Sequence, residues 1–315
     1  MPWPQLNYHR WHHATVRDLA WVIASPTLLS STACENNYPV TDRWCREQYF
    51  KSITWLDALD RDTKTLDMWL LQRPAAPLGR YFESLVGFWI QHMTHSSHMQ
   101  SNLVVYTPPD TLGEFDFLFF DPAQQQNMHW EVAVKFYLFH HENNGTWLGP
   151  NPKDDLASKT KKLFTQQILL SRNPHAQTLL HEHQFTGEIR PQILMKGYLF
   201  YPLDVNTVES SDHALLSPDH LQGWWCHASA APHALTLCDK HKKWQVLDRL
   251  QWLAPVVDRN GSELLGLEDI LNSITKHFEQ NTQPLLISEV RPDAHYWREY
   301  SRGFIVHDQW PTINS

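Results

Sequence analysis

The stretch HWEVAVKFYL, residues 129–138, sets Glu131 and Lys135 four positions apart. Side chains alternate between the faces of a strand, so Glu131, Ala133 and Lys135 share one side while Val132, Val134 and Phe136 take the other. By the same rule Glu114 and Asp116 share a face of GEFDFLFF at 113–120. A hairpin pairing these strands would gather three carboxylates and one amine on a common surface. Crowded carboxylates repel and bind protons more tightly, and a hard divalent cation such as Mg2+ or Mn2+ relieves that repulsion through oxygen ligands. A lysine beside the cation can orient or activate an attacking water while the metal stabilises charge on a phosphate oxygen. A solvated hairpin face carries alternating polar residues too, without chemistry.

The elements that must position these residues follow from periodicity. Val16, Leu19, Ala20, Ile23 and Ala24 recur at helical spacing until Ser25-Pro26, where proline blocks continuation. A second helical stretch runs from about Asp42 to Leu71 with a break near Asp60–Thr63, and RPAAPLG separates it from a helix over Arg80–His92. Three strand-like runs come next, NLVVYT at 102–107, GEFDFLFF at 113–120 and HWEVAVKFYLF at 129–139, the last two close enough in sequence for an antiparallel hairpin. GPNPKDDLASKTKKLFTQQILLS at 149–171 reads as a helix capped by Asp154 or Asp155, and RPQILMKGYLFYP at 190–202 as a further strand. Beyond Pro202 come WQVLDRLQWLAP, a helical GLEDILNSITKHFEQ and two strand-like runs, PLLISEV and RGFIVHD. The expected organisation is an α/β chain with an N-terminal helical layer over 1–76, a core over 77–202, and an α+β region over 203–315 packed on that core.

The order helix, three strands, helix, strand, with GEFD on the second strand and a carboxylate-to-lysine pattern on the third, resembles the PD-(D/E)XK nucleases. The resemblance implies that Asp116 and a third-strand acidic residue hold Mg2+, that Lys135 is the accompanying lysine, and that Glu83 in GRYFESL assists from the first helix. The usual acidic position, two before the lysine, is Ala133 here, and the nearest carboxylate on that face is Glu131, displaced by roughly 6.6 Å of strand. Glu131 reaches inward, Glu114 substitutes, or the site is inactive. Lys159, Lys162 and Gln166 fall at i, i+3 and i+7 of the following helix, and the resemblance makes Lys159 and Gln166 helpers at the metal or a phosphate. The chain also resembles an uncharacterised bacterial family, a domain of unknown function grouped with that superfamily, through VRDLAWVIASPTLL, LGRYFESL, GEFDFL, EVAVKFYL, GPNPKDDLASKTKKLFTQQILLS and RGFIVHDQWP. The implied activity is metal-dependent hydrolysis of phosphodiester bonds in DNA or RNA. The alternative is an inactive nuclease fold that binds nucleic acid or a protein partner.

Composition restricts the other classes. No run approaches the roughly 20 apolar residues of a membrane span, and the expected location is the cytoplasm. Lys plus Arg number 26 against 34 for Asp plus Glu, a net charge of -8, so contact with nucleic acid requires a local basic patch. Cys226, Cys238 and His241 match no common zinc spacing, and the cysteines are expected as reduced thiols. His92, His95 and His98 are expected at the surface, and Lys240, Lys242 and Lys243 beside Trp244 form a small basic run.

Overall fold

The computed structural model describes residues 7–34, 36–72, 77–93, 96, 98–107, 109–141, 145–203, 214–236, 242–261 and 263–312. The first helix, α1 (Ala14–Ala24), stops at Ser25 as proline at 26 dictates. The Thr41 side chain accepts from the Trp44 N–H and starts α2 (Asp42–Arg61), which a short break separates from α3 (Lys64–Leu71). After α4 (Leu78–Met93) come β1 (Met99–Thr107), β2 (Asp110–Asp121) and β3 (Gln126–His140). The short connection predicted between the last two strands closes an antiparallel hairpin, with Phe117 opposite Trp130 and Asp121 opposite Gln126.

A short strand β4 (Thr146–Leu148) returns along β3, and α5 (Leu156–Thr165) begins where the Asp155 carboxylate accepts from the Ser158 N–H. Helix α5 is shorter than its apolar pattern suggests. At Gln166 the backbone leaves the helical region (φ -127, ψ -66) and enters a 3₁₀ turn, Gln167–Arg172, followed by α6 (Pro174–Glu182). Strand β5 (Ile189–Pro202) then pairs parallel with β3, placing Glu131 opposite Ile193 and Lys135 opposite Gly197.

Residues beyond Pro202 continue this sheet. Strand β6 (Leu221–His227) pairs parallel with β5. After α7 (Ala231–Thr236), β7 (Lys243–Leu247), β8 (Val257–Asp258) and α8 (Leu267–Gln280), the chain forms β9 (Leu285–Asp293) and β10 (Tyr296–Val306). Strand β10 runs parallel to β6 and antiparallel to β9, giving a sheet ordered β1-β2-β3-β5-β6-β10-β9-β7. The result is a mixed α/β fold, with eight α-helices among the described residues around one large mixed sheet.

Both faces of the central strands are covered, which is why β5 reads as a nearly unbroken apolar run. On one face α1, α2 and α4 bring Trp21, Leu56, Phe82 and Trp89 against Phe117, Trp130, Val132 and Phe136. On the other, Leu156, Leu163 and Ile168 pack on Tyr137, Phe139 and Met195, while α7 and α8 cover Ile287 and Ile305 further along. Each fully buried tryptophan removes on the order of 200 Å2 from water, worth roughly 5 kcal/mol before chain entropy is counted. Among the described residues no helix is long and apolar enough to cross a membrane, and Cys34 and Cys45 are free thiols.

Gly197 has φ +143, and a Cβ there would lie 1.6 Å from the Lys135 carbonyl oxygen. Only glycine lets β5 approach β3 this closely. Gly197→Ala should therefore destabilise the protein by roughly 2–4 kcal/mol in chemical denaturation. Gly79→Ala in α4, where nothing lies within 4 Å, should be neutral or mildly stabilising. Equal midpoints for the two variants would contradict this reading of the β3–β5 contact.

Candidate functional site

Strand β3 alternates as its sequence predicts. Val132, Val134 and Phe136 join the core under the N-terminal helices, and Ala133 joins the one on the opposite face. Glu131 has no solvent exposure. Its Oε1 accepts from His129 Nε2 at 2.9 Å and its Oε2 from Gln167 Nε2 at 2.7 Å. Burial pushes the His129 pKa down to about 3, so the imidazole is neutral and the contact is a hydrogen bond rather than an ion pair. Nδ1 of that ring has no partner, an arrangement least costly when it is the unprotonated nitrogen and Nε2 carries the hydrogen. Phe115 meets the ring edge-on, with centroids 4.7 Å apart.

Gln167 joins the buried carboxyl to an amine, for its Oε1 accepts from Lys159 Nζ at 3.1 Å. Asp116 completes the group from β2, where its Oδ2 accepts from the Val132 N–H at 2.8 Å. Burial, then the charge of Glu131, raises the Asp116 pKa to about 7, while the Val132 N–H and Lys159 hold it back. Burial lifts Glu131 to about 8 against the opposing charge of Lys159 and the Asp116 N–H. Lys159 is pulled below the ordinary amine value by burial and then by the charge of Lys135, with both carboxyls acting the other way. On α4, Glu83 is raised to about 7 by burial and by Asp116, which ties it electrostatically to the same group.

The remaining candidates stand elsewhere. Lys135 lies on the Glu131 face, but its Nζ bonds Asp154 Oδ2 at 2.5 Å, and the Tyr137 hydroxyl donates to the other Asp154 oxygen at 3.4 Å. The amine joined to the buried carboxyl is that of Lys159. Gln166 is exposed at the end of α5, and the change to a 3₁₀ turn brings Gln167 inward instead. Glu114 is exposed and acts on Glu83, Asp116 and Glu131 only through its charge. Alternation along β2 breaks near Asp116: Phe115 and Leu118 join one core, Phe117 and Phe119 another. Across the pair, Asn102 of β1 has φ 55 between the partners of Phe115 and Phe117.

Two residues of the site carried an unread signal in the sequence. His129 lies two positions before Glu131 and so shares its face, and Gln167 adjoins the glutamine that helical spacing selects. Among the described residues no group of three or more His, Cys, Asp or Glu side chains is placed to hold a metal ion. Cys238, His241, His95 and Lys240 lie outside the described residues. Of the histidines expected at the surface, His92 and His98 are partly buried. His92 packs on Phe88 with ring centroids 4.3 Å apart, and His98 Nε2 bonds the His183 carbonyl at 2.7 Å. Lys242 is also buried, with its Nζ 4.7 Å from the Trp244 ring centroid and 3.8 Å from Glu289.

A family model described as a domain of unknown function (DUF1853) matches residues 17–306, which takes in every residue of this site. The chain belongs to that family. No curated protein and no solved structure matches it. The match runs from α1 through the end of β10, so the DUF1853 unit comprises the N-terminal helices, the whole sheet and α8.

Glu83, Asp116 and Glu131 all bind protons more tightly folded than unfolded, so their contribution to stability falls as pH rises from the ordinary carboxylate range through about 8, while the buried neutral His129 acts the other way below the ordinary imidazole value. With chelator present, thermal unfolding should show the wild-type Tm dropping between about pH 5.5 and about pH 8.5. Asp116→Asn keeps an acceptor for the Val132 N–H and should drop less. Parallel curves for the two proteins would show that Asp116 does not carry the shift.

Proposed function

We propose that this protein is a divalent-metal-dependent phosphodiesterase acting on DNA or RNA, built on a PD-(D/E)XK-like core of α4, β1–β3, α5 and β5. The observation that carries this reading is the bridge from Glu131 through Gln167 to Lys159, with Asp116 held beside it on the neighbouring strand. Two acidic groups and an amine supplied by three elements are the parts that such hydrolysis requires.

The residues fit a hard cation. Asp116 and Glu131 offer only oxygen donors and repel one another, and Mg2+ is commonly bound by one or two carboxylates with water and substrate phosphate completing its shell. Those two residues would hold it. A bound Mg2+ or Mn2+ would stabilise charge on a phosphate oxygen and make a coordinated water more acidic. Lys159 directs its ammonium hydrogens toward the same locality and can hydrogen-bond a phosphate oxygen or the attacking water. Gln167 fixes that amine and one oxygen of Glu131. Glu83, with a pKa near 7, can take up or release a proton at its carboxyl close to neutral pH. Lys161 and Lys162, exposed on α5, give the net-acidic surface a local positive face for a phosphate backbone.

A second reading has its own observation. Both oxygens of Glu131 already accept protein hydrogen bonds, and alanine stands at 133 where the superfamily pattern places an acid, which suits a fold that binds without cleaving.

Cleavage of single-stranded, duplex and branched nucleic acids with Mg2+ or Mn2+ separates the two. Asp116→Ala and Lys159→Ala should each lower the rate on the order of 10²–10⁴-fold, and Lys135→Ala should change it only a few-fold. Loss with Lys135→Ala but not Lys159→Ala would reverse the assignment of the amine. Metal-independent binding without any Asp116-sensitive cleavage would replace the hydrolase with the binding module.

A further inference from the structure

Glu83 faces two ways. One is toward Asp116, and the other is into a cavity of about 190 Å3 between α4 and the start of β1. Trp69 and Phe117 supply its aromatic lining, and Arg80, Ser101 and Asn102 its polar lining. Trp69 is fixed by its Nε1–H, which donates to the Ser84 carbonyl at 2.9 Å. Asn102, in the left-handed conformation, hydrogen-bonds Glu83 from the opposite wall. Arg80 is exposed one helical turn before Glu83, and its positive charge acts on the Glu83 carboxyl.

Glycine at 87 matters to this space. In the middle of a helix it costs about 0.5–1 kcal/mol relative to alanine. A Cβ there would come within 3.2 Å of the Phe117 ring and 3.4 Å of the Trp69 ring, so glycine lets the Phe117 ring lie this close to α4 without displacement. Pockets for drug-sized ligands run from roughly 300 Å3 upward, so this smaller space suits one ring system rather than an extended cofactor. Aromatic walls with an exposed guanidinium at the edge match an unstacked base and its phosphate, the chemistry by which single strands are held.

We infer that this cavity receives one unstacked nucleotide of the substrate, making single-stranded or frayed nucleic acid the preferred class over intact duplex. The inference rests on the nucleic-acid reading above but not on cleavage. A base inside a duplex would have to be extruded to enter, at a cost of a few kcal/mol.

Fluorescence anisotropy tests it with the full chain, Ca2+ replacing Mg2+, a labelled single-stranded oligonucleotide, its blunt duplex, and the single strand with abasic sites. The single strand should bind at least about 10-fold tighter than either alternative, since stacking contributes about 1–3 kcal/mol per base. Ser101→Trp, an exposed change that fills the mouth, should remove that preference with Tm unchanged, and Arg80→Ala should weaken single-strand binding and flatten its salt dependence. Equal affinity for single strand and duplex, indifference to the missing bases, or wild-type binding by Ser101→Trp would overturn the inference, as would no binding at all. Should Asp116-dependent cleavage persist in that case, the hydrolase reading survives the loss of the pocket. Pocket-dependent binding without cleavage removes the hydrolase and leaves the inference standing.

Discussion

A carboxyl group with no access to water stands on one of the innermost strands of the sheet, and much of the local structure answers its demands. Leaving Glu131 without donors would cost several kcal/mol, so each oxygen must be met from within the protein. His129 meets one from the same strand face, and Gln167 meets the other from the turn after α5. These contacts require the helix to end at Gln166, the turn to lie under β3, and Lys159 to stand one hydrogen bond away. Removing the carboxyl would leave the Gln167 amide and the His129 N–H facing each other unsatisfied, so Glu131 organises its neighbours as well as its own strand.

The orientation of α4, which carries Glu83, is set from the far side of the molecule. Tyr81 donates its hydroxyl to Asp18 at 2.8 Å, and the other Asp18 oxygen accepts from the Ala254 N–H at 3.1 Å. Arg302 on β10 donates to the carbonyls of Trp252 and Ala254 and pairs with Glu299. The C-terminal third is thus stitched to α1 and α4 through buried polar groups. Loosening it would release the helix that places Glu83, which links a region remote from the carboxyls to their geometry.

Much of this architecture was legible because its signals are local. Proline after α1, the Asp155 cap, the amphipathic faces of α2 and α4 and the alternation of β3 each depend on a few neighbouring residues. Strand β6 escaped notice because LQGWWCH, running parallel between β5 and β10, shows no alternation and carries a glycine whose added Cβ would lie 2.4 Å from the Phe200 ring. The site was half legible. Strand alternation pointed to Glu131 and Asp116 and the superfamily resemblance to Glu83 and Lys159, whereas the pairing of Lys135 with Asp154 depends on the loop after β4. That Gln167 rather than Gln166 meets Glu131 depends on a backbone turn that helical periodicity does not encode, and Glu114 is exposed on the strand whose alternation breaks beside Asp116.

In the proposed hydrolase, Asp116 and Glu131 share one cation with Lys159 as the adjacent amine. Anomalous diffraction from crystals soaked in Mn2+ tests it most directly. The expected result is a peak within ligand distance of carboxylate oxygens of both Asp116 and Glu131, with the Lys159 amine adjacent and Lys135 still bound to Asp154. A soaked crystal with no peak there, or with manganese bound only elsewhere, would contradict it.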